Sequence, residues 1–228
     1  MKNKQTATKK QNSQFSIRPA KTEDIDALVD ICRKGFPDLV RWQIPRFLAK
    51  KSWEHILSSA VAETWVCNSG DQVAALVSLV SNMVVYQSEK HPPNMSRIKK
   101  LYFHLLCPKL LVKKLLRKIC RFFSGSTMIT SLGRNQSETT NFTWIELIAV
   151  APDMRKKGMA TRLLELCYER TVQLKIDGMK LTVEPDNIAA HNLYKGFGFH
   201  CTSQGGDTDI YTMKIERKNS PGRIKAIS

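Results

Sequence analysis

The 228-residue chain has no Cys-x-x-Cys pair. Its six cysteines, Cys32, Cys67, Cys107, Cys120, Cys167 and Cys201, are scattered, and none has a histidine partner at metal-ligand spacing. This argues against a disulfide framework or a zinc module and reads as reduced thiols in a cytoplasmic protein. No apolar run approaches the ~18 residues that a membrane-crossing helix needs. The Lys-, Asn- and Gln-rich N-terminus lacks an apolar stretch, so no secretory signal is expected. Neither G-x-x-x-x-G-K-[ST] nor a G-x-G-x-x-G after a strand occurs, which removes the two common phosphate-loop signatures. Acidic residues are scarce, 20 against 36 Lys and Arg, for a formal net charge of +16. That balance favours polyanionic partners: nucleotide phosphates, nucleic acid or an anionic membrane face. Hydrophobic residues make up 42%, enough for the core of one domain with appendages.

What is present centres on residues 143–164, TWIELIAVAPDMRKKGMATRLL. Thr143 to Val150 is apolar and β-branched, as a buried strand should be. Ala151-Pro152-Asp153 breaks it, because proline cannot continue a central ladder. Arg155-Lys156-Lys157-Gly158-Met159-Ala160 then opens a helix, with apolar residues at Ala160, Leu163, Leu164, Cys167 and Leu174. The first amides of a helix lack intrahelical partners, and its dipole makes that end positive, so this turn suits a diphosphate. Gly158 and Ala160 let a ligand approach the backbone, and three basic side chains add charge. An ordinary strand-turn-helix joint with solvated lysines remains the alternative on this stretch alone.

A second stretch follows strand Leu181 to Glu184: Pro185-Asp186-Asn187-Ile188-Ala189-Ala190-His191-Asn192-Leu193-Tyr194-Lys195-Gly196-Phe197-Gly198-Phe199. The order R-x-x-G-x-A, helix, strand, N-x-x-A-x-x-L-Y-x-x-x-G-F resembles the GNAT superfamily of acetyl-CoA-dependent N-acetyltransferases. The resemblance extends from about Phe15 to Glu216, with its specific motifs within 143–199.

Around these motifs the chain divides simply. Residues 1–14 and 217–228 read as basic, loose tails, and 15–216 as one domain. Phe15 to Arg18 alternates like a strand, and Thr22 is a candidate cap for a helix carrying Ile25, Leu28, Val29 and Cys32. A helical region over 36–60, broken at Pro37 and Pro45, holds Phe36, Trp42, Phe47, Trp53 and His55, either core residues or lining for an acceptor groove. Glu63 to Cys67 and Val73 to Tyr86 read as strands two and three around the turn at Asn68 to Asp71. Residues 87–141 form a long insert. Within it, 97–123 has apolar residues at helical spacing and a basic opposite face. That pattern suits helices packed on the domain or a surface that docks on an anionic membrane or nucleic acid. Asp177-Gly178 is expected to end the third helix, the one that opens at Arg155 to Ala160. Strand five runs from Lys180 to Glu184, and 199–204 with 209–215 make a terminal hairpin.

The resemblance implies a mixed α/β fold: strands one to four antiparallel, strands four and five parallel and splayed, with acetyl-CoA as co-substrate in the splay. The backbone of Ile148, Ala149 and Val150 would bind the cofactor, and Arg155, Lys156, Lys157, Gly158, Met159, Ala160 and Thr161 would take its diphosphate. Asn187 would contact the pantetheine arm, cap the following helix, or both. Tyr194 matches the family's general acid. Glu146 shares a face with Ile148 and Val150 by period-two counting and is the candidate base, directly or through water. The strand-five glutamate of ribosomal-protein alanine N-acetyltransferases is replaced by Thr182, which leaves Glu184 as a second candidate. The reading is an N-acetyltransferase acting on a primary amine of a small molecule, a peptide N-terminus or a lysine through a ternary complex. An anionic membrane surface and a second copy of the chain are further candidate partners. A non-catalytic acyl-CoA-binding module, and a basic protein acting through 97–123, are the alternatives.

Overall fold

The computed structural model describes residues 15–37, 44–89, 142–204 and 208–215. Both expected tails, nearly all of the expected insert and Trp42 therefore lie outside the described residues. Among those described, seven strands form one sheet in the order β1-β2-β3-β4-β5-β7-β6. They are β1 (Phe15–Pro19), β2 (Ala62–Ser69), β3 (Gln72–Val80), β4 (Phe142–Val150), β5 (Gly178–Val183), β6 (His200–Ser203) and β7 (Asp209–Lys214). The helices are α1 (Ile25–Gly35), α2 (Arg46–Leu57), α3 (Met83–Glu89), α4 (Met159–Gln173) and α5 (Ile188–Phe197). All neighbouring strands are antiparallel except β4 and β5, which are parallel. A parallel pair needs a crossover, and α4 supplies it. The mixed α/β expectation, with its one parallel pair, agrees with this sheet.

Each face of the sheet buries its own apolar layer. On one side α4 and α5 bring Met159, Leu163, Leu164 and Tyr194 against Val77, Leu79, Ile145 and Leu181. On the other, α1 and α2 bring Leu28, Val29, Leu48 and Trp53 against Val66, Leu76, Leu147 and Ala149. Trp53 is fully buried, so it is core, whereas Phe47 is 60% exposed. Thr22 does not cap α1: it begins a 3-10 turn, Thr22–Asp24, that leads into the helix and is closed by the Asp24 side chain. Asp24 accepts the Lys21 N–H at 2.7 Å and two hydrogen bonds from Arg18, both at 2.7 Å.

Element boundaries differ from the sequence reading at several points, two of them with a cause visible in the hydrogen bonds. Strand three ends at Val80, and Val84, Val85 and Tyr86 belong to α3. Asn82 decides this, because its side-chain oxygen accepts the N–H groups of Val84 and Val85 at 3.1 Å each. That is a helix cap overriding β-branched composition. The end of α4 is set by Lys175 in a left-handed conformation (φ 57°), with Ile176 N–H donating to Thr171 O at 3.2 Å. Gly178 is the first residue of β5 instead of a helix stop.

Candidate functional site

The site begins with an irregularity in β4. Leu79 pairs with Ile145 and Ser78 with Leu147, so Glu146 is the extra residue of a β-bulge. A bulge shifts the side-chain phase of its strand. Thr143 and Ile145 lie on the α4 side; beyond the bulge, Ile148 and Val150 lie there, while Leu147 and Ala149 join the α1–α2 core. Period-two counting through Glu146 thus crosses a break, although Glu146 and both residues line the same cleft.

The parallel ladder stops at the same level. β4 and β5 pair from Phe142↔Gly178 to Ile145↔Leu181 and no farther. Beyond that point the strands part, and a cleft of about 830 Å³ occupies the gap. Its walls are residues 145–150 of β4 and Leu181 to Val183 of β5 with Glu184 just beyond; Gly35 and Phe36 close one side, and Thr208 reaches in from just before β7. Unpaired backbone facing a gap keeps free hydrogen-bonding groups for an extended ligand.

At the far end of β4 the cleft meets the N-terminus of α4. Gly158 is its N-cap in a left-handed conformation (φ 82°), and no side chain caps the helix. The amides of Met159, Ala160 and Thr161 therefore have no i−4 carbonyl and remain available at the positive end of the helix. Lys156 is also left-handed (φ 62°), which for a residue with a Cβ costs about 1 kcal/mol and holds the turn open around these amides. Arg155 ties the turn to α1, its guanidinium reaching Val150 O at 3.4 Å and Gly35 O at 3.5 Å. Backbone donors, a helix dipole and Arg155 with Lys156 in one wall make an anion cradle.

Helix α5 forms the remaining side. Asn187 caps it, its side-chain oxygen accepting the Ala190 N–H at 3.1 Å, and the residue also lines the cleft. Tyr194, about two turns farther, is 6% exposed and presents to the cleft. Its ring meets Phe199 edge-on at 5.8 Å and Tyr211 at 6.3 Å. Burial pushes the Tyr194 phenol well above its ordinary value, with a smaller contribution from Cys167, so it stays a proton donor at neutral pH.

Of the residues singled out from sequence, all but Lys157 line this one cleft. Lys157 turns back, its Nζ 3.3 Å from Met154 Sδ. Thr182 and Glu184 also line it, on the β5 wall. Gly35 and Thr208 carried no sequence signal, since only the folding of α1 and β7 brings them here. Among the described residues no cluster of His, Cys, Asp and Glu could hold a metal ion.

Comparison with known proteins agrees with this fold. Residues 113–199 match the sequence family described as Acetyltransferase (GNAT) family. No curated protein sequence matches the chain. Among solved structures, the fold is similar to PaiA N-acetyltransferase from Thermoplasma acidophilum in complex with coenzyme A. The TM-score is 0.55 at 12% identity, covering 88% of this chain and 99% of that one. It is similar to Arabidopsis thaliana NAA60 in complex with acetyl-CoA (TM-score 0.52, 16% identity, 88% and 98% covered). It is also similar to the ribosomal-protein-S18-alanine N-acetyltransferase from Escherichia coli (TM-score 0.52, 14% identity, 92% and 99% covered).

Proposed function

We propose that the chain is a member of the GNAT superfamily of acetyltransferases, an N-acetyltransferase taking its acetyl group from acetyl-CoA and passing it to a primary amine. The observation that carries the reading is the coincidence of three features in one cleft. The gap between β4 and β5 opens at Glu146, it leads to the uncapped start of α4, and Tyr194 faces into it.

The residues present fit acetyl-CoA. The amides at 158–161, with Arg155 and Lys156, suit its diphosphate, because Gly158 lacks the Cβ and side chain that would crowd the helix start. A Cβ built at Gly158 meets open space, which is room for a ligand. The backbone of Ile148 to Val150 suits the amides of the pantetheine arm. When bound, acetyl-CoA supplies an activated thioester carbonyl.

The chain's own residues then handle protons. An amine arrives as an ammonium ion and must lose a proton to become a nucleophile. Glu146, at the level where the strands separate, takes that proton, directly or through one water. Tyr194 holds a phenolic proton in an apolar setting and is placed to give it, or a hydrogen bond, at the departing sulfur. Ternary-complex transfer is the course this arrangement favours, since among the described residues no cysteine lines the cleft to carry the acetyl group. A small molecule, a peptide N-terminus or a lysine would each present such an amine. A cytoplasmic location fits the buried thiols of Cys67 and Cys167.

Calorimetric titration with acetyl-CoA tests the reading, beside an Arg155→Glu, Gly158→Asp variant. Micromolar binding by the intact protein and at least tenfold weaker binding by the variant are expected. Thiol release with a panel of amines then follows turnover. An intact protein that does not bind acetyl-CoA overturns the proposal.

A further inference from the structure

Behind the Tyr194 ring lies a group of polar side chains that the proposed reaction does not use. His191 on α5 and Asp209 and Tyr211 on β7 are all buried, at 9%, 8% and 0% exposure. His191 Nδ1 is 2.8 Å from the Tyr211 hydroxyl, and His191 Nε2 is 3.9 Å from Asp209 Oδ2. Burying polar groups costs free energy unless each finds a partner, so such a group stands out in an apolar layer.

The arrangement has a direction. A neutral imidazole carries one N–H, and a nearby carboxylate favours that N–H on the nitrogen facing it. Asp209 therefore favours the Nε2–H form of His191, which leaves Nδ1 as an acceptor. The Tyr211 hydroxyl donates to it. Tyr211 is thereby pinned at its far end, while its ring faces two neighbours: His191 at 5.5 Å and Tyr194 at 6.3 Å between centroids.

Tyr194 depends on that pin. Its hydroxyl makes no hydrogen bond to a described residue, so its aim into the cleft is set by ring packing against Tyr211 and Phe199. His191 and Tyr194 stand three residues apart on α5, on neighbouring turns of one face. We propose that Asp209, His191 and Tyr211 are positioning residues, an array that fixes the Tyr211 ring and through it the direction of the Tyr194 hydroxyl. The proposal rests on Tyr194 being the proton donor, and it adds three residues that touch neither co-substrate nor acceptor. Thr208, which lines the cleft, immediately precedes Asp209, so the array is joined to the cleft wall through the backbone of β7.

The test uses the full chain carrying ring-¹³C-labelled tyrosine. The chain has five tyrosines, and Tyr194→Phe identifies the signal of interest. Tyr211→Phe keeps the ring and removes the pin; Asp209→Asn weakens the tautomer preference. Both should shift the Tyr194 ring signals and speed ring flipping. In the thiol-release assay both should lower kcat about tenfold while KM for acetyl-CoA stays within twofold. His191→Asn, whose amide oxygen can accept near the Nδ1 position, should retain more kcat than His191→Ala. Thr171→Val is the control. It breaks a comparably buried tie, Thr143 to Thr171 at 2.8 Å, which involves neither α5 nor β7. It should lower the melting temperature and leave both kcat and the Tyr194 signals in place. Unchanged Tyr194 signals in Tyr211→Phe and Asp209→Asn overturn the proposal, as do changes that Thr171→Val reproduces. The spectra decide the matter even where no amine is turned over, whereas failure of acetyl-CoA binding speaks against the transferase reading alone.

Discussion

Ile145 and Leu181 are the last residues at which β4 and β5 pair; one position on, Glu146 and Thr182 face each other across an open cleft. Glu146 is at the same time the extra residue of the β4 bulge. One irregularity therefore ends the ladder, re-aims the strand and brings a carboxylate to the mouth of the gap.

If Glu146 takes the proton from the incoming amine, Glu146→Gln keeps shape and hydrogen bonding but removes the base. The loss of kcat should be about 10²–10⁴-fold, with acetyl-CoA affinity nearly unchanged by calorimetry. Full retention of kcat would assign proton removal to water alone.

Stability should fall in alkali. Burial pushes the Cys167 thiol up to about 12, with Glu63 adding to the effect, and burial raises the Tyr194 phenol as well. In the unfolded chain these groups ionise near 9 and 10, while the folded protein keeps their protons. Their contribution is therefore complete below pH 9 and is lost as pH rises toward the folded values. Melting temperature should drop from pH 9 to 11, and Cys167→Ala should show a smaller drop despite starting lower because of the cavity it leaves.

In acid the sign reverses. The hydrogen bonds from Arg18 hold the Asp24 carboxyl below the usual carboxylate range, against the opposing effect of burial. That stabilisation is present above the ordinary carboxylate value, about 3.9, and is lost as pH falls through the lower folded value. Asp24→Asn should cost about 1–2 kcal/mol at pH 7, given the partial exposure of Arg18. It should also flatten this part of the acid limb in urea titrations run from pH 6 to 2.

Two glycines should respond in opposite ways to alanine. A Cβ at Gly178 would run into the Met213 carbonyl oxygen and the Phe142 ring, whose nearest carbon is 2.7 Å away. Neither has room to retreat where β5 joins both β4 and β7, so Gly178→Ala should cost at least about 1–3 kcal/mol. A Cβ at Gly196 in α5 meets nothing within 4 Å. Gly196→Ala should stabilise by about 0.5–1 kcal/mol through helix propensity. Urea midpoints of the two variants against the parent check both signs.

Much of this site could be read from residue order. Arg155, Gly158 and Ala160 mark a helix start beside a strand end, and Asn187 to Phe199 mark the next helix, because caps and glycines act locally. The bulge at Glu146 could not be read. Buried and half-buried residues alternate along all of β4, yet the buried set changes face in the middle, which is possible because both faces are covered. Val84-Val85-Tyr86 looked like strand because composition outweighed Asn82, whose capping role depends on the chain turning there. His191, Asp209 and Tyr211 were invisible for another reason: their meeting is made only by the antiparallel return of β7 beside β5.

That return has a bearing on how the protein is made. Among the described strands β7 is the last in sequence, yet it lies between β5 and β6. A chain leaving the ribosome can assemble β1 to β4 early, but β5 keeps a bare edge and β6 has no partner until residue 214 has emerged. Tyr211 arrives in that same final step. The protein therefore gains its candidate proton donor's support only when its sheet is finished, and a chain interrupted before β7 would expose an unpaired strand to self-association.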